Sequence, residues 1–335
     1  MTPSATLPFE ALTALLRAVA EPTRLRILAL LVEAELTVSD LTDILRQSQP
    51  RISRHLKLLT DARLVARYRE GSWAFFRIAE PGPATELARS LIARLEPDDL
   101  AIARDRERLA AVRTARAAAA QSYFKSHAGE WDRIRRLHVA DDAVERAVLE
   151  ALEGKDFRSV LDLGTGTGRM LELIGPQIER GLGIDMSPAM LAIARAHLDR
   201  AGLRHCTVRQ GDIFDLALPA DSFDVVLIHQ VLHYLDDGAG AIEEAARVLR
   251  PGGRLLVIDF APHDLEFMRE EHAHRRLGFP IETITQWMNA AGLDLLMQRN
   301  LPPEPGSEGK IAVSLWLGQD PRALLASPET IREVA

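Results

Sequence analysis

The chain is nearly devoid of thiols: Cys206 is the only cysteine in 335 residues. One thiol excludes an internal disulfide framework and any metal site built on several thiolates of one chain. Long apolar runs are also missing. The hydrophobic stretches are short and broken by charge, so no membrane span is expected. Met1 to Pro8 lack a basic stretch followed by a long apolar core, so no signal peptide is expected and the chain reads as soluble and cytoplasmic. Basic charge is in deficit: the formal net charge is −7 and the pI is near 5.8, the wrong sign for a nucleic-acid binder taken whole.

That deficit is uneven. Between Arg46 and Arg77 stand eight basic side chains (Arg46, Arg51, Arg54, Lys57, Arg63, Arg67, Arg69, Arg77) and two acidic ones (Asp61, Glu70), a net of +6 that leaves −13 for the rest. A local basic stripe in an acidic chain is an electrostatic footprint. Length and an apolar content of 47% suggest two domains, each able to bury its own core.

Residues 7–20 and 22–33 read as helices, with Leu12, Leu15, Leu16 and Val19 at helical spacing and Pro22 in a first turn. A short helix is expected over 37–45, and another, capped by Ser48, to about Ala62. Residues 64–69 and 73–78 alternate like two strands joined by a turn at Glu70-Gly71-Ser72, and Pro81 and Pro83 punctuate their end. Helices follow over about 84–95 and about 98–122, the second rich in Ala and Arg and suited to a spacer or dimerisation role. Two short helices, a tight turn and a hairpin make a winged helix-turn-helix, whose second helix lies in the major groove. On that helix Ile52, Leu56 and Leu59 share an inward face, leaving Gln49, Arg51, Ser53, Arg54, His55 and Lys57 outside, next to Ser48. Arg suits guanine, Gln suits adenine and Lys suits phosphate, while Arg67, Arg69 and Arg77 in the wing reach backbone or minor groove.

Arg24-Leu25-Arg26-Ile27-Leu28, Leu36-Thr37-Val38-Ser39-Asp40-Leu41, Ser53-Arg54-His55-Leu56-Lys57-Leu58-Leu59 and Leu64-Val65 resemble the ArsR/SmtB family of bacterial repressors over roughly residues 9–95. The resemblance implies a homodimer on a palindromic double-stranded operator. Arsenic-sensing members carry a Cys-Val-Cys element where this chain has Thr37 and Ser39, so thiolate metal sensing is not expected there. Other members use His and carboxylates on the last helix, and residues 84–122 contain no His.

From Ser159 the rhythm becomes strand, loop, helix. Strands are expected at 159–163, 181–184, 207–210, 223–228 and 254–259, helices at about 168–178, 188–201 and 239–249, and a terminal antiparallel pair at 294–299 and 311–317. Such alternation argues for a parallel sheet covered on both faces. The first strand runs into Asp162-Leu163-Gly164-Thr165-Gly166-Thr167-Gly168; a dinucleotide fingerprint would need Gly where Arg169 stands. The pattern resembles class I S-adenosylmethionine (SAM)-dependent methyltransferases over roughly residues 120–318. That implies a Rossmann-like, mainly parallel seven-stranded sheet and SAM as cofactor, with S-adenosylhomocysteine (SAH) as product. The expected organisation is therefore a winged helix-turn-helix (1–96), a helical linker (97–122), a methyltransferase domain (123–318) and a C-terminal tail (319–335).

By that resemblance Asp162, Gly164, Thr165, Gly166 and Gly168 cradle the methionine portion, and Asp185 takes the ribose hydroxyls with Met186 flanking adenine. Gly211 and Asp212 sit by the adenine amino group, Ile213 packs on the ring, and His229 lies between cofactor and acceptor. The turn at 249–254 matches the one before the family's fifth strand. Methyl transfer from a sulfonium needs mainly positioning, with a base only if the acceptor loses a proton. His229, His233, Tyr234, Asp259 and His263 are the candidates. His263, His272 and His274 could instead bind a metal or, with Arg269, Arg275 and Arg276, form a polar cap. Three functions remain open: a regulator whose second domain methylates an unidentified, small-molecule acceptor; a non-catalytic repressor that senses SAM or SAH; and, least supported by the residues, a metal-responsive repressor with an unrelated enzyme attached. Arsenite methyltransferases share the domain type but need several cysteines.

Overall fold

The computed structural model describes residues 6–70, 73–79, 82–96, 98–131, 141–154, 156–303 and 311–322. Its contacts divide the chain into two compact units, Met1–Ala118 and Ala119–Ala335.

In the first unit, α1 (Phe9–Val19), α2 (Pro22–Glu33), α3 (Val38–Leu45), α4 (Gln49–Asp61) and α5 (Pro83–Ile92) surround a small sheet of β1 (Leu36–Thr37), β2 (Val65–Glu70) and β3 (Trp73–Ile78). Local chemistry sets the helix starts. Pro22 opens α2 while the Glu21 carboxylate accepts the Arg24 N–H at 2.8 Å. Thr37 and Asp40 form a reciprocal capping box on α3. Ser48 is the N-cap residue of α4, as expected, but its side chain makes no capping bond. The core is a single apolar cluster including Ile27, Leu41, Ile44, Ile52, Leu56 and Leu59.

The helix expected from Thr37 begins at Val38 with Thr37 as its N-cap; Thr37 also pairs with Phe75, so Leu36–Thr37 is a third strand, in the order β1-β3-β2. Two residues are too few for a period to show. The expected hairpin turn at Gly71 and Ser72, and Pro81, lie outside the described residues.

The helix expected over 98–122 runs as α6 from Leu100 to His127. Within the first unit it is held by Leu109, buried in the core, and by arginine contacts. Arg26 makes a bidentate pair with the buried Asp105, both bonds 2.6 Å. Arg108 donates to the Ile44 carbonyl and Arg113 to that of Glu33. Arg116 pairs with Asp40, the capping acid of α3.

In the second unit, β4 (Ser159–Leu163), β5 (Arg180–Asp185), β6 (Cys206–Gln210), β7 (Phe223–His229), β8 (Leu249–Phe260), β9 (Asp294–Leu301) and β10 (Val313–Gln319) form one sheet in the order β6-β5-β4-β7-β8-β10-β9. The first five are parallel, and β10 runs antiparallel to both β8 and β9. Every residue of β4 is buried, which is why it reads as continuous rather than alternating. Helices Asp141–Leu152, Arg169–Ile174, Pro188–Arg200, Gly238–Arg247 and Ile281–Ala290 accompany the sheet, and two apolar clusters form the core.

Three boundaries differ from expectation. The helix after the glycine turn stops at Ile174, where Gly175–Gln177 tightens into a 3-10 turn around Pro176. The turn at 249–254 is a register shift inside the long strand β8, not a break before it. The expected tail begins inside the fold: Asp320 donates its N–H to the Gly253 carbonyl and pairs with Arg322, while 323–335 lie outside the described residues.

Candidate functional site

The parallel strands all deliver their C-terminal ends to one edge of the sheet, where ligands bind in open α/β folds. There the β4 turn carries three glycines in the left-handed region: Gly164 at φ +70°, Gly166 at +53° and Gly168 at +83°. A Cβ on Gly164 would lie 2.3 Å from Val231 Cγ2, so any side chain there forces Val231 to move and strains the backbone. Asp162, buried, accepts the Thr165 hydroxyl at 2.6 Å and stiffens the turn. Gly183, which the sequence reading passed over, leaves the space that Thr165 fills.

Asp185 ends β5. One carboxylate oxygen takes the Gly166 N–H at 2.9 Å and the other the Ser187 N–H at 2.8 Å. Burial pushes its carboxyl above the ordinary value, opposed by the N–H groups of Ser187, Gly166 and Met186. Met186 is exposed beside it. At the β6 turn, Gly211 and Asp212 are accessible, and Asp212 accepts the Phe214 N–H at 3.0 Å. Ile213 packs with Leu161 and Ile184 in the core, and Phe214 is the exposed apolar side chain of that turn.

At the end of β7, His229 is half-buried, and the next residue, Gln230, takes a left-handed conformation, φ +55°, with its amide nitrogen buried and unpartnered. Non-glycine residues in that region cost about 1–3 kcal/mol and cluster at functional sites, a signal invisible in sequence. His233 and Asp259 form a fully buried pair, Nδ1 to Oδ1 at 2.7 Å. The same oxygen accepts the Phe260 N–H, which fixes the carboxylate. With Nδ1 as donor, Nε2 is the nitrogen left to accept a proton. Tyr234 is a poor base: burial raises its pKa well above the ordinary value, and its hydroxyl lies 3.4 Å from His274 Nε2. Burial, then the positive potential of His233 and Arg269, lowers His263 to about 4, so it is neutral at pH 7.

His272 ends a short helix, Phe267–His272, and Ala273 at φ +57° turns the chain before His274. His272 Nδ1 meets the Tyr123 hydroxyl at 2.7 Å, whereas His274 packs 4.2 Å from the His233 ring. Among the described residues no three His, Cys, Asp or Glu side chains gather as a metal site. Arg269 reaches Glu266 and Arg275 pairs with Asp236, while Arg276 lies over Phe279. Sequence reading also missed an aromatic group from the end of α6. Phe124 stands 4.8 Å from Tyr234 and 5.2 Å from Trp131, whose indole nitrogen is 3.8 Å from the Cβ position of Gly166.

In the first unit, Ser48, Gln49, Arg51, Ser53, Arg54, Lys57, Arg67 and Arg69 are exposed. Lys57 is also bonded to Asp61 at 2.8 Å. Two further residues expected at the DNA interface have partners within the unit. His55 is half-buried 3.6 Å from Glu21. Arg77 is drawn to Glu35 and lies over the Tyr68 ring at 5.7 Å.

Residues 21–67 match the model of the bacterial regulatory protein, arsR family, and residues 161–257 that of the methyltransferase domain. The chain joins an arsR-type helix-turn-helix to a methyltransferase domain. Among curated relatives of the second part, a demethylmenaquinone methyltransferase of Thermus thermophilus is 42% identical over 42% of this chain and 64% of its own. An arsenite methyltransferase of Aquipseudomonas alcaligenes is 40% identical over 31% of this chain and 33% of its own. The chain thus spans less than two thirds of either. A chain from the complex between the Haloferax volcanii Trm112 methyltransferase activator and a methyltransferase superposes with a TM-score of 0.50 at 25% identity, covering 60% of this chain and 97% of that one.

Proposed function

We infer that the chain is a homodimeric, DNA-binding regulator whose second unit binds SAM and transfers its methyl group to a small-molecule acceptor. The observation that carries the cofactor is the cradle: three left-handed glycines backed by Asp185, whose carboxylate takes the Gly166 N–H, with Met186 exposed beside it. When bound, SAM supplies an electrophilic methyl whose departure leaves a neutral thioether. The chain's own task is orientation and proton removal. His233, with Nδ1 held by Asp259, offers Nε2 to an acceptor O–H or N–H.

Arsenite fits poorly as acceptor. Cys206 is the only thiol, is buried, and is pushed by burial to about 11, far from a reactive thiolate. Exposed guanidinium groups of Arg51, Arg54, Arg67 and Arg69 support duplex DNA as partner. Exposed Phe9, Leu16 and Leu100 support a second copy as the cover for α1 and the start of α6.

The alternative, a SAM- or SAH-sensing repressor without turnover, is favoured by the grip of α6 on α3 through Arg108 and Arg116. Calorimetry with SAM tests the cofactor. Asp185→Ala should weaken binding at least tenfold, since losing a charged hydrogen-bond acceptor costs about 1.5–3 kcal/mol. Unchanged affinity removes Asp185 from the site. SAH release with a panel of phenols, thiols and amines supports the enzyme; none with any acceptor leaves the sensor.

A further inference from the structure

Arg46 closes α3 in the left-handed region, φ +54°, where the Gln47 N–H turns back to the Thr42 carbonyl at 3.3 Å. Glycine is the residue that makes this closure without strain. An L side chain there gives up stability. Its guanidinium is exposed and has no partner among the described residues. The arginines nearby behave otherwise: Arg24, Arg26, Arg108 and Arg116 are each bonded to a carbonyl or carboxylate of the first unit.

Its place is specific. Arg46 stands two residues before Ser48, the start of α4, whose first turn exposes Gln49 and Arg51. A recognition helix enters the major groove with its N-terminal residues toward the bases. The turn leading into it then runs beside the sugar-phosphate wall of the groove. A long cation at that turn meets phosphate, not base edges.

We propose that Arg46 is a backbone clamp of the DNA interface, holding a phosphodiester oxygen at the mouth of the groove and carrying local strain to place its charge there. The assignment rests on the DNA-binding reading. Arg63 supplies an internal comparison. It is also left-handed, at φ +57°, exposed and unpartnered, but follows the far end of α4. At 1.5 Å per residue, the 13 residues of α4 separate the two sites by roughly 20 Å. Arg63 shares the strain without the position.

The test uses the full chain, a duplex that the wild-type protein selects from a random-sequence pool, and an unselected duplex of equal length, each titrated over several salt concentrations. Arg54→Ala reports on base reading. Arg46→Gly should raise the melting temperature and weaken both duplexes about five- to tenfold, with a salt dependence shallower by about 0.9 in log–log slope. Arg46→Lys should keep most of the affinity. Arg63→Gly should raise the melting temperature and leave both affinities within about twofold.

If Arg54→Ala weakens the selected duplex while Arg46→Gly binds like wild type, the clamp is overturned and DNA binding stands. A loss confined to the selected duplex would make Arg46 a base reader and overturn it too. Equal losses in Arg46→Gly and Arg63→Gly would show that net charge alone acts, again against the clamp. A wild-type chain that selects no duplex removes the DNA reading and the clamp with it.

Discussion

Asp224 shows how one carboxylate can brace a sheet far from its chemistry. It is the second residue of β7 and accepts the N–H groups of Arg158 and Ser159, the Ser159 hydroxyl at 2.8 Å and Arg250 Nη1 at 2.9 Å. Those donors outweigh the effect of burial and hold its pKa down at about 2. An unfolded Asp titrates near 3.9. The bonds therefore stabilise the fold above about pH 4 and are lost as pH falls toward 2. His263 acts in a higher window. Unfolded it titrates near 6.5 and folded at about 4, so the unfolded chain binds the extra proton between those values and stability falls as pH drops from 6.5 to 4. Urea midpoints over a pH series check both. Asp224→Asn should lose about 1 kcal/mol at pH 7, allowing for solvent screening, and show a flatter profile between pH 4 and 2. His263→Gln should flatten the profile between 6.5 and 4. Parallel profiles in wild type and variants would refute both assignments.

At the scale of elements, α6 stands out because sequence periodicity explains little of it. Its Ala- and Arg-rich run carries only a narrow apolar stripe, with Leu109 buried in the first unit's core and Val112 packed against it, and polar contacts add to that seat. Asp105 is 2% exposed and Arg26 23% exposed, in a two-bond fork. Removing one partner strands a buried charge, so Asp105→Ala should cost about 2–4 kcal/mol. Replacing both, as Arg26→Met with Asp105→Leu, should recover most of that, because the paired desolvation penalty disappears as well. Denaturant unfolding of the singles and the double decides. A single variant as stable as wild type would mean that α6 is held by its other arginines. The elements themselves were largely legible: helical periodicity placed α4, a continuous apolar run placed β4, and turn chemistry placed the start of α2. The end of α6 was not, because an Ala-rich helix offers no stop signal between Ser122 and His127.

For the whole molecule, one helix carries residues of both units: Arg108 and Arg116 on α3 in the first, Tyr123 and Phe124 beside His272 and Tyr234 in the second. A helix transmits orientation where a Gly/Ser coil does not. Occupancy by SAM or SAH is therefore expected to change operator affinity by a coupling of about 1–3 kcal/mol, and DNA to change cofactor affinity by the same factor. Operator titrations without ligand, with saturating SAM and with saturating SAH, at one salt concentration, are the measurement. Three superimposable curves would mean that the units are only tethered.

The sequence alone determined what depends on local backbone and short periods. The glycine turn from Gly164 to Gly168 needs left-handed conformations that few residues supply, and the basic stripe is a property of composition. The tertiary structure decided what depends on residues distant in the chain. The buried His233–Asp259 pair joins positions 26 residues apart, and Trp131 meets the glycine turn only because the chain folds back on itself. Arg77 and His55 looked free on their own strand and helix, yet Glu35 and Glu21, brought alongside by packing, claim them. Ile213 went to the core and left Phe214 outside, because which of two adjacent apolar side chains faces inward is settled by the neighbours that close over it.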